Sequence, residues 1–126
     1  MTDEANKKKD EGTQRLKDAG EEYLQRAEEK LRDREYLKVG ELYFKAVAAQ
    51  LRSACTRLSV EFKGKEDYFP SMAELTARAG GVDWAERALC QAVILHQNDE
   101  RDFLTHDQVR RFAGDVRRLI RWLKGL

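Results

Sequence analysis

Proline is almost missing from this chain. One proline, Pro70, and eight glycines are spread over 126 residues. Sandwiches and barrels need a turn signal every ten residues or so, which excludes them here and favours an all-helical fold. Cysteine is also scarce. Cys55 and Cys90 lie far apart and outside any Cys-x-x-Cys spacing, which excludes a disulfide scaffold, a zinc motif and a redox motif. Each falls in an apolar stripe of a predicted helix and reads as a small buried hydrophobe, with a bridge between the two helices as the alternative. No apolar run approaches the roughly 18 residues of a membrane span. Residues Met1 to Asp10 are polar and charged, so they make neither a secretory signal nor an anchor, and a cytoplasmic setting is expected. Charge of one sign is lacking as well: 24 Lys and Arg against 23 Asp and Glu leave +1, without the net basic field of a nonspecific nucleic-acid binder.

What is present is helical periodicity. Residues 1–12, with Lys7, Lys8 and Lys9 in a row, carry no apolar period and are expected to form a flexible polar tail, disordered or loosely helical, before a single domain over 13–126. From Thr13, Leu16, Ala19, Tyr23, Ala27 and Leu31 recur at spacings of three and four, and this first helix ends near Arg32. After Asp33 as N-cap, residues 35–59 form a second helix, apolar nearly all round. That predicts the central helix of a bundle, or one that buries its second face on another subunit. The stretch 61–70 reads as a loop over a bundle end, with Lys63-Gly64-Lys65 solvated and Phe62, Tyr68 and Phe69 plugging that end. Three capping boxes follow, Ser71 with Glu74, Asp83 with Glu86 and Thr105 with Gln108, each expected to open a helix. The first of these helices is short and stops at Gly80-Gly81. The next ends near Gln97, and the last carries Val109, Phe112, Ala113, Val116, Leu119, Ile120 and Leu123. The expected architecture is an up-and-down bundle of four long helices and one short one. A tetratricopeptide solenoid would need a second copy of the first hairpin, and none follows.

Residues 22–59, EYLQRAEEKLRDREYLKVGELYFKAVAAQLRSACTRLS, resemble the opening helical hairpin of the PaREP family, archaeal proteins placed near the HEPN superfamily. Residues 92–123, AVILHQNDERDFLTHDQVRRFAGDVRRLIRWL, resemble that family's closing hairpin. In the family a histidine ends the third long helix and a polar turn with an Asn follows; here Leu95-His96-Gln97-Asn98 stands there, with Asp99-Glu100 where an aromatic pair is usual. The resemblance implies a HEPN-like four-helix bundle, often dimeric, within a superfamily of ribonucleases and noncatalytic members. Superfamily nucleases carry an Arg, four to six residues and a His at the start of the last helix, a spacing that Arg101 and His106 meet.

As a catalytic pair, His106 would move a proton at a ribose 2′-hydroxyl and Arg101 would hold the phosphate. Asp102 between them would repel phosphate, and His106 directly follows the cap Thr105, where a solvent-facing residue is the simpler reading. His96, Asn98 and Asp99 form a second candidate, a ligand-binding cluster at a helix end, against the simpler reading that His96 caps the last carbonyls and Asn98 takes the left-handed position. No metal is expected, because His96 and His106 lie ten positions apart without carboxylates at ligand spacing, and no cofactor motif is present. Arg110, Arg111, Arg117, Arg118 and Arg121 form a basic stripe on the last helix. They are expected to pair with first-helix acids such as Glu21, Glu28 and Glu29, or else to meet an acidic partner or RNA backbone. Trp122 reads as an exposed indole at a subunit contact. The first functional reading is a noncatalytic binding module, a homodimer, taking a nucleotide, nucleic acid or protein partner and no membrane. The second is a metal-independent ribonuclease using Arg101 and His106.

Overall fold

The computed structural model describes residues 3–62 and 68–126, with side chains from Lys7 onward, so the Lys63-Gly64-Lys65 expectation lies outside the described residues. Among the described residues five helices follow in order: α1 (Asp3–Arg32), α2 (Gly40–Arg57), α3 (Tyr68–Arg78), α4 (Trp84–Arg101) and α5 (His106–Gly125). Among the described residues there is no strand, and no helix is long and apolar enough to cross a membrane. The chain is thus an all-α bundle of four long helices and one short one.

The second helix is central. Ten of its 18 residues are buried, from Gly40 through Tyr43, Val47 and Leu51 to Cys55, and it packs on all four other helices. α5 lays a continuous stripe against it: Val109, Ala113, Val116, Leu119, Ile120 and Leu123 are all fully buried. Burial of such side chains is worth about 1.5–3 kcal/mol each, which makes this stripe the main hydrophobic clamp of the bundle. α1 attaches differently. Of its apolar side chains only Ala27 is fully buried, and Leu24, Tyr23 and Leu31 are half covered. Its backbone is held by polar handles from α2, where Gln50 Nε2 donates to Lys17 O at 3.0 Å and Ser53 Oγ donates to Thr13 O at 3.2 Å.

Several helix limits differ from the expected ones, each for a local reason. α1 begins at Asp3, so the residues read as a polar tail continue the first helix, with Lys7 to Glu11 exposed as their polarity requires. α2 begins at Gly40 rather than Glu35 because α1 closes with a left-handed residue, Arg34 (φ 60°). The Glu35 amide then reaches back to Lys30 O at 3.0 Å, and residues 35–39 form turns. α2 ends the same way at Ser59 (φ 55°), with Val60 N bonded to Cys55 O at 2.8 Å. α3 starts at Tyr68, leaving Pro70 in a first turn where no amide is missed. Ser71 consequently lies inside the helix and donates to Glu61 O at 3.0 Å instead of capping. Asp83 makes no side-chain cap bond either. Gly80 (φ 91°) ends α3 as expected, and the Thr105–Gln108 capping box opens α5 as expected.

Other side chains also settle differently. Cys55 is buried, but Cys90 is exposed, so only one is a core hydrophobe and neither forms a disulfide. Phe62 and Tyr68 do not plug a bundle end. They continue a row of rings along the flank of α2, Phe62 to Tyr68 at 5.5 Å, Tyr68 to Phe44 at 5.4 Å and Phe44 to His96 at 5.1 Å. Trp122 is half covered by its own chain, edge-on to Trp84 at 5.9 Å.

Candidate functional site at the bundle end

One end of the bundle gathers the turn after α1 and the turn after α4. Both are set by sequence features inside the chain. α4 runs to Arg101 because Asn98, 1% exposed, satisfies the turn beyond it: its Oδ1 accepts from the amides of Phe103 and Leu104, both at 2.8 Å. The left-handed position falls at Asp102 (φ 47°), not at Asn98. His96, Asn98 and Asp99 therefore sit in the last turns of the helix rather than beyond its end, and Arg101 closes α4 instead of opening α5.

Asp99 fastens the two turns together. Its two carboxylate oxygens accept from Gly40 N at 3.0 Å and Glu41 N at 2.7 Å, so a side chain 58 residues away supplies the N-terminal cap that Val39 lacks. The helices approach so closely that a Cβ on Gly40 would fall 2.0 Å from Leu95 O, which only glycine permits. Burial raises the Asp99 carboxyl above its ordinary value, while the two amides and the helix N-terminus act the other way.

Between the turns lies an open cleft of about 310 Å³, lined by Arg34, Glu35, Tyr36, Leu37 and Lys38 on one side and by Asn98, Asp102, Leu104 and His106 on the other. Tyr36 is the hinge of its wall. The ring, 9% exposed, stacks on His106 at 4.1 Å with 21° between planes. Arg110 donates to the Tyr36 hydroxyl at 2.6 Å and is paired with Asp107, so the wall is fixed from outside. On the floor, Asn98 uses only its carbonyl oxygen among the described residues, which leaves its amide nitrogen, an atom not fully enclosed, as a donor open to an incoming acceptor. Two exposed apolar side chains stand at the rim among charged ones: Leu37 is 42% exposed and Phe103, between lining residues Asp102 and Leu104, is 51% exposed. Among the described residues three other than glycine have positive φ, and two of them, Arg34 and Asp102, line this cleft from its two sides, a concentration of backbone strain typical of binding and switching sites.

The structure distributes the sequence candidates unevenly. His106 and Asn98 line the cleft. Asp99 builds it from behind with both oxygens occupied. His96 lies outside it, stacked on Phe44, and Arg101 is exposed and not among the lining residues. Arg34, Tyr36 and Leu37 carry no site signal in the sequence, and Arg110 stands there only as a member of the basic stripe. Tyr36 and Leu37 fall inside the span 35–59 that the spacing predicts as one helix, and no glycine marks the turn at Arg34. Chemically, the cleft offers an unused hydrogen-bond donor, an aromatic wall and two apolar side chains at the rim with Arg34 and Lys38 beside them. Among the described residues no group of His, Cys, Asp or Glu converges as metal ligands. The chain matches no protein-family model and no curated protein.

Proposed function

We propose that this chain is a noncatalytic interaction module of the HEPN-like, PaREP-like type its sequence resembles, and that the bundle-end cleft receives an apolar side chain of a protein partner, in the first place a second copy of itself. The observation that carries this is the placement of Phe103. An exposed knob stands directly beside a hole on the same surface with Leu37 at its rim, which is what a two-fold interface needs: the knob of each copy enters the hole of the other. The free Asn98 amide nitrogen would then take a backbone carbonyl of the entering segment, and Tyr36 and His106 would give the ring a flat wall. Nucleotide binding draws less support, because Glu35, paired with Lys38 on the same side, and Asp102 across the cleft offset the charge of Arg34 and Lys38.

Light scattering tests the proposal. At micromolar concentration the particle should have twice the 14.6 kDa of one chain, and Phe103→Ser or Leu37→Ser should return it to 14.6 kDa with the helical content unchanged. A wild-type particle of 14.6 kDa would refute it. The ribonuclease reading rests on His106 alone, since Arg101 does not reach the cleft lining. Cleavage of single-stranded RNA that disappears in His106→Ala would reinstate it.

A further inference from the structure

The arginines of α5 divide into two groups. Arg117 forms a two-pronged pair with Glu28 of α1, and Arg110 is taken up by Asp107 and Tyr36. Arg111, Arg118 and Arg121 are exposed and pair with no carboxylate among the described residues. At about 100° per residue, Arg111 lies within roughly 20° of Arg118, on the side of α5 turned from α1, and Arg121, roughly 60° from Arg118 and 40° from Arg117, stands between that side and the one paired with α1. Across the α4–α5 groove stands Arg87, also exposed and unpaired by any described carboxylate. Three guanidinium groups without a carboxylate partner, Arg87, Arg111 and Arg118, therefore share one face, with Arg121 at its edge, on a molecule whose net charge is only +1.

Between them is a small groove of about 120 Å³, lined by Trp84, Arg87, Ala88, Gln91, Asp115 and Arg118. The Arg118 guanidinium lies 4.0 Å from the centre of the Trp84 ring, and Trp122 meets that ring edge-on at 5.9 Å and 70°. A guanidinium that stacks on an indole keeps its N–H fork free in its own plane and offers its other flat surface for stacking. The one carboxylate in the groove, Asp115, is held by the Gln91 amide at 2.8 Å rather than by an arginine, so it does not cancel the charge of Arg87 or Arg118 through a direct bond.

We propose that this α4–α5 face binds single-stranded nucleic acid, with backbone phosphates on Arg87, Arg111, Arg118 and Arg121 and one base stacked on the outer surface of the Arg118 guanidinium to form a three-layer sandwich over Trp84. An acidic peptide would meet the charge but leave the stacking surface unused; a nucleotide chain uses both. The site is separate from the bundle-end cleft and does not depend on its occupant.

Of the chain's two tryptophans, Trp84 lines this groove and Trp122 packs edge-on to it, so selectively excited tryptophan emission reports on this region. Titration of the full chain with a uridine 12-mer should quench that fluorescence to saturation. The logarithm of the association constant should fall against the logarithm of salt concentration with a slope of about −3, at roughly −0.7 per phosphate released. R87Q/R118Q should weaken binding at least tenfold and halve the slope, and R111Q/R121Q should halve the slope with the quench retained. Arg15→Gln on α1 and Phe103→Ser at the cleft should change nothing. All these residues are exposed, so the variants should fold as the parent does. No saturable quench, a slope indifferent to these arginines, or equal affinity for polyglutamate of the same charge would each overturn the proposal.

Discussion

α1 and α5 are both outer helices with an apolar stripe and a charged back, yet they are fastened to α2 by opposite means. α5 buries six apolar side chains completely, and its charges then sort themselves outside that stripe. α1 buries one alanine completely and depends on the close fit of the Gln50 side chain against Gly20, on two side-chain bonds from Gln50 and Ser53, and on ion pairs at its edge with α5. Those ion pairs join Glu28 to Arg117 and Glu21 to Lys124, so the expected attraction between first-helix acids and last-helix bases is realised at two points. Hydrophobic contact is additive and tolerant of small shifts, whereas polar handles demand register. α5 should therefore govern global stability and α1 should be the first long helix to detach.

The largest effect expected is at the clamp. Leu119→Ala should cost about 2–5 kcal/mol, read as a lower denaturant midpoint at an unchanged m-value, whereas the half-covered Leu24→Ala on α1 should cost less than half as much. Equal losses would remove the contrast. Next comes Gly20→Ala. Its Cβ would lie 2.5 Å from Gln50 Nε2, forcing the buried amide off Lys17 O at about 1–3 kcal/mol. Hydrogen exchange should rise in α1 but not in α5, and a Gln50→Ala background should abolish most of the added cost of the alanine. Strict additivity of the two changes would sink this account.

A smaller effect is expected at Glu28. Burial pushes its carboxyl up, but hydrogen bonds from Arg117 and from the Tyr43 hydroxyl (2.7 Å) outweigh that and hold it below its ordinary value of 4.5; burial with the Glu28 contact pushes the Tyr43 phenol up in turn. A carboxyl lowered by folding adds stability above its unfolded value, and that stability is lost as pH falls from 4.5 through the folded value. Glu28→Gln should therefore cost about 1 kcal/mol at neutral pH and progressively less under acid, as paired thermal melts would show. A pH-independent difference would assign the loss to packing. The smallest effect belongs to Lys124→Ala, whose pair with Glu21 is substantially exposed: about 0.5 kcal/mol or less, vanishing in high salt.

The same contrast shows what was legible in the sequence. Periodicity identified the all-α bundle, the central place of α2 and every buried member of the α5 stripe, because those follow from the spacing of apolar residues alone. The helix limits near the cleft were not legible, because their causes are either unmarked or remote. Arg34, Ser59 and Asp102 adopt a conformation that glycine usually advertises, and the cap of α2 is Asp99 from another helix. Asn98 and His106 stood out as polar residues at helix ends and do line the cleft. Tyr36 and Leu37 fall inside the span 35–59 predicted as one helix, since nothing in their spacing distinguishes a turn from a continued helix.

The left-handed residues at the two rims have a further consequence for association. Arg34 is held by bonds closing α1, and Asp102 by its amide bond to Asn98 O at 3.0 Å, with the Asn98 side chain fixing the next two amides. The main chain on both sides of the cleft is thus already ordered in the free molecule. A partner entering it restricts side chains such as Phe103, Leu37, Arg34 and Lys38, at about 0.5–1.5 kcal/mol each, and need not arrest a loop. Recognition at this end of the bundle should accordingly be fast and rigid-body in character, with affinity set by how well the incoming surface fits.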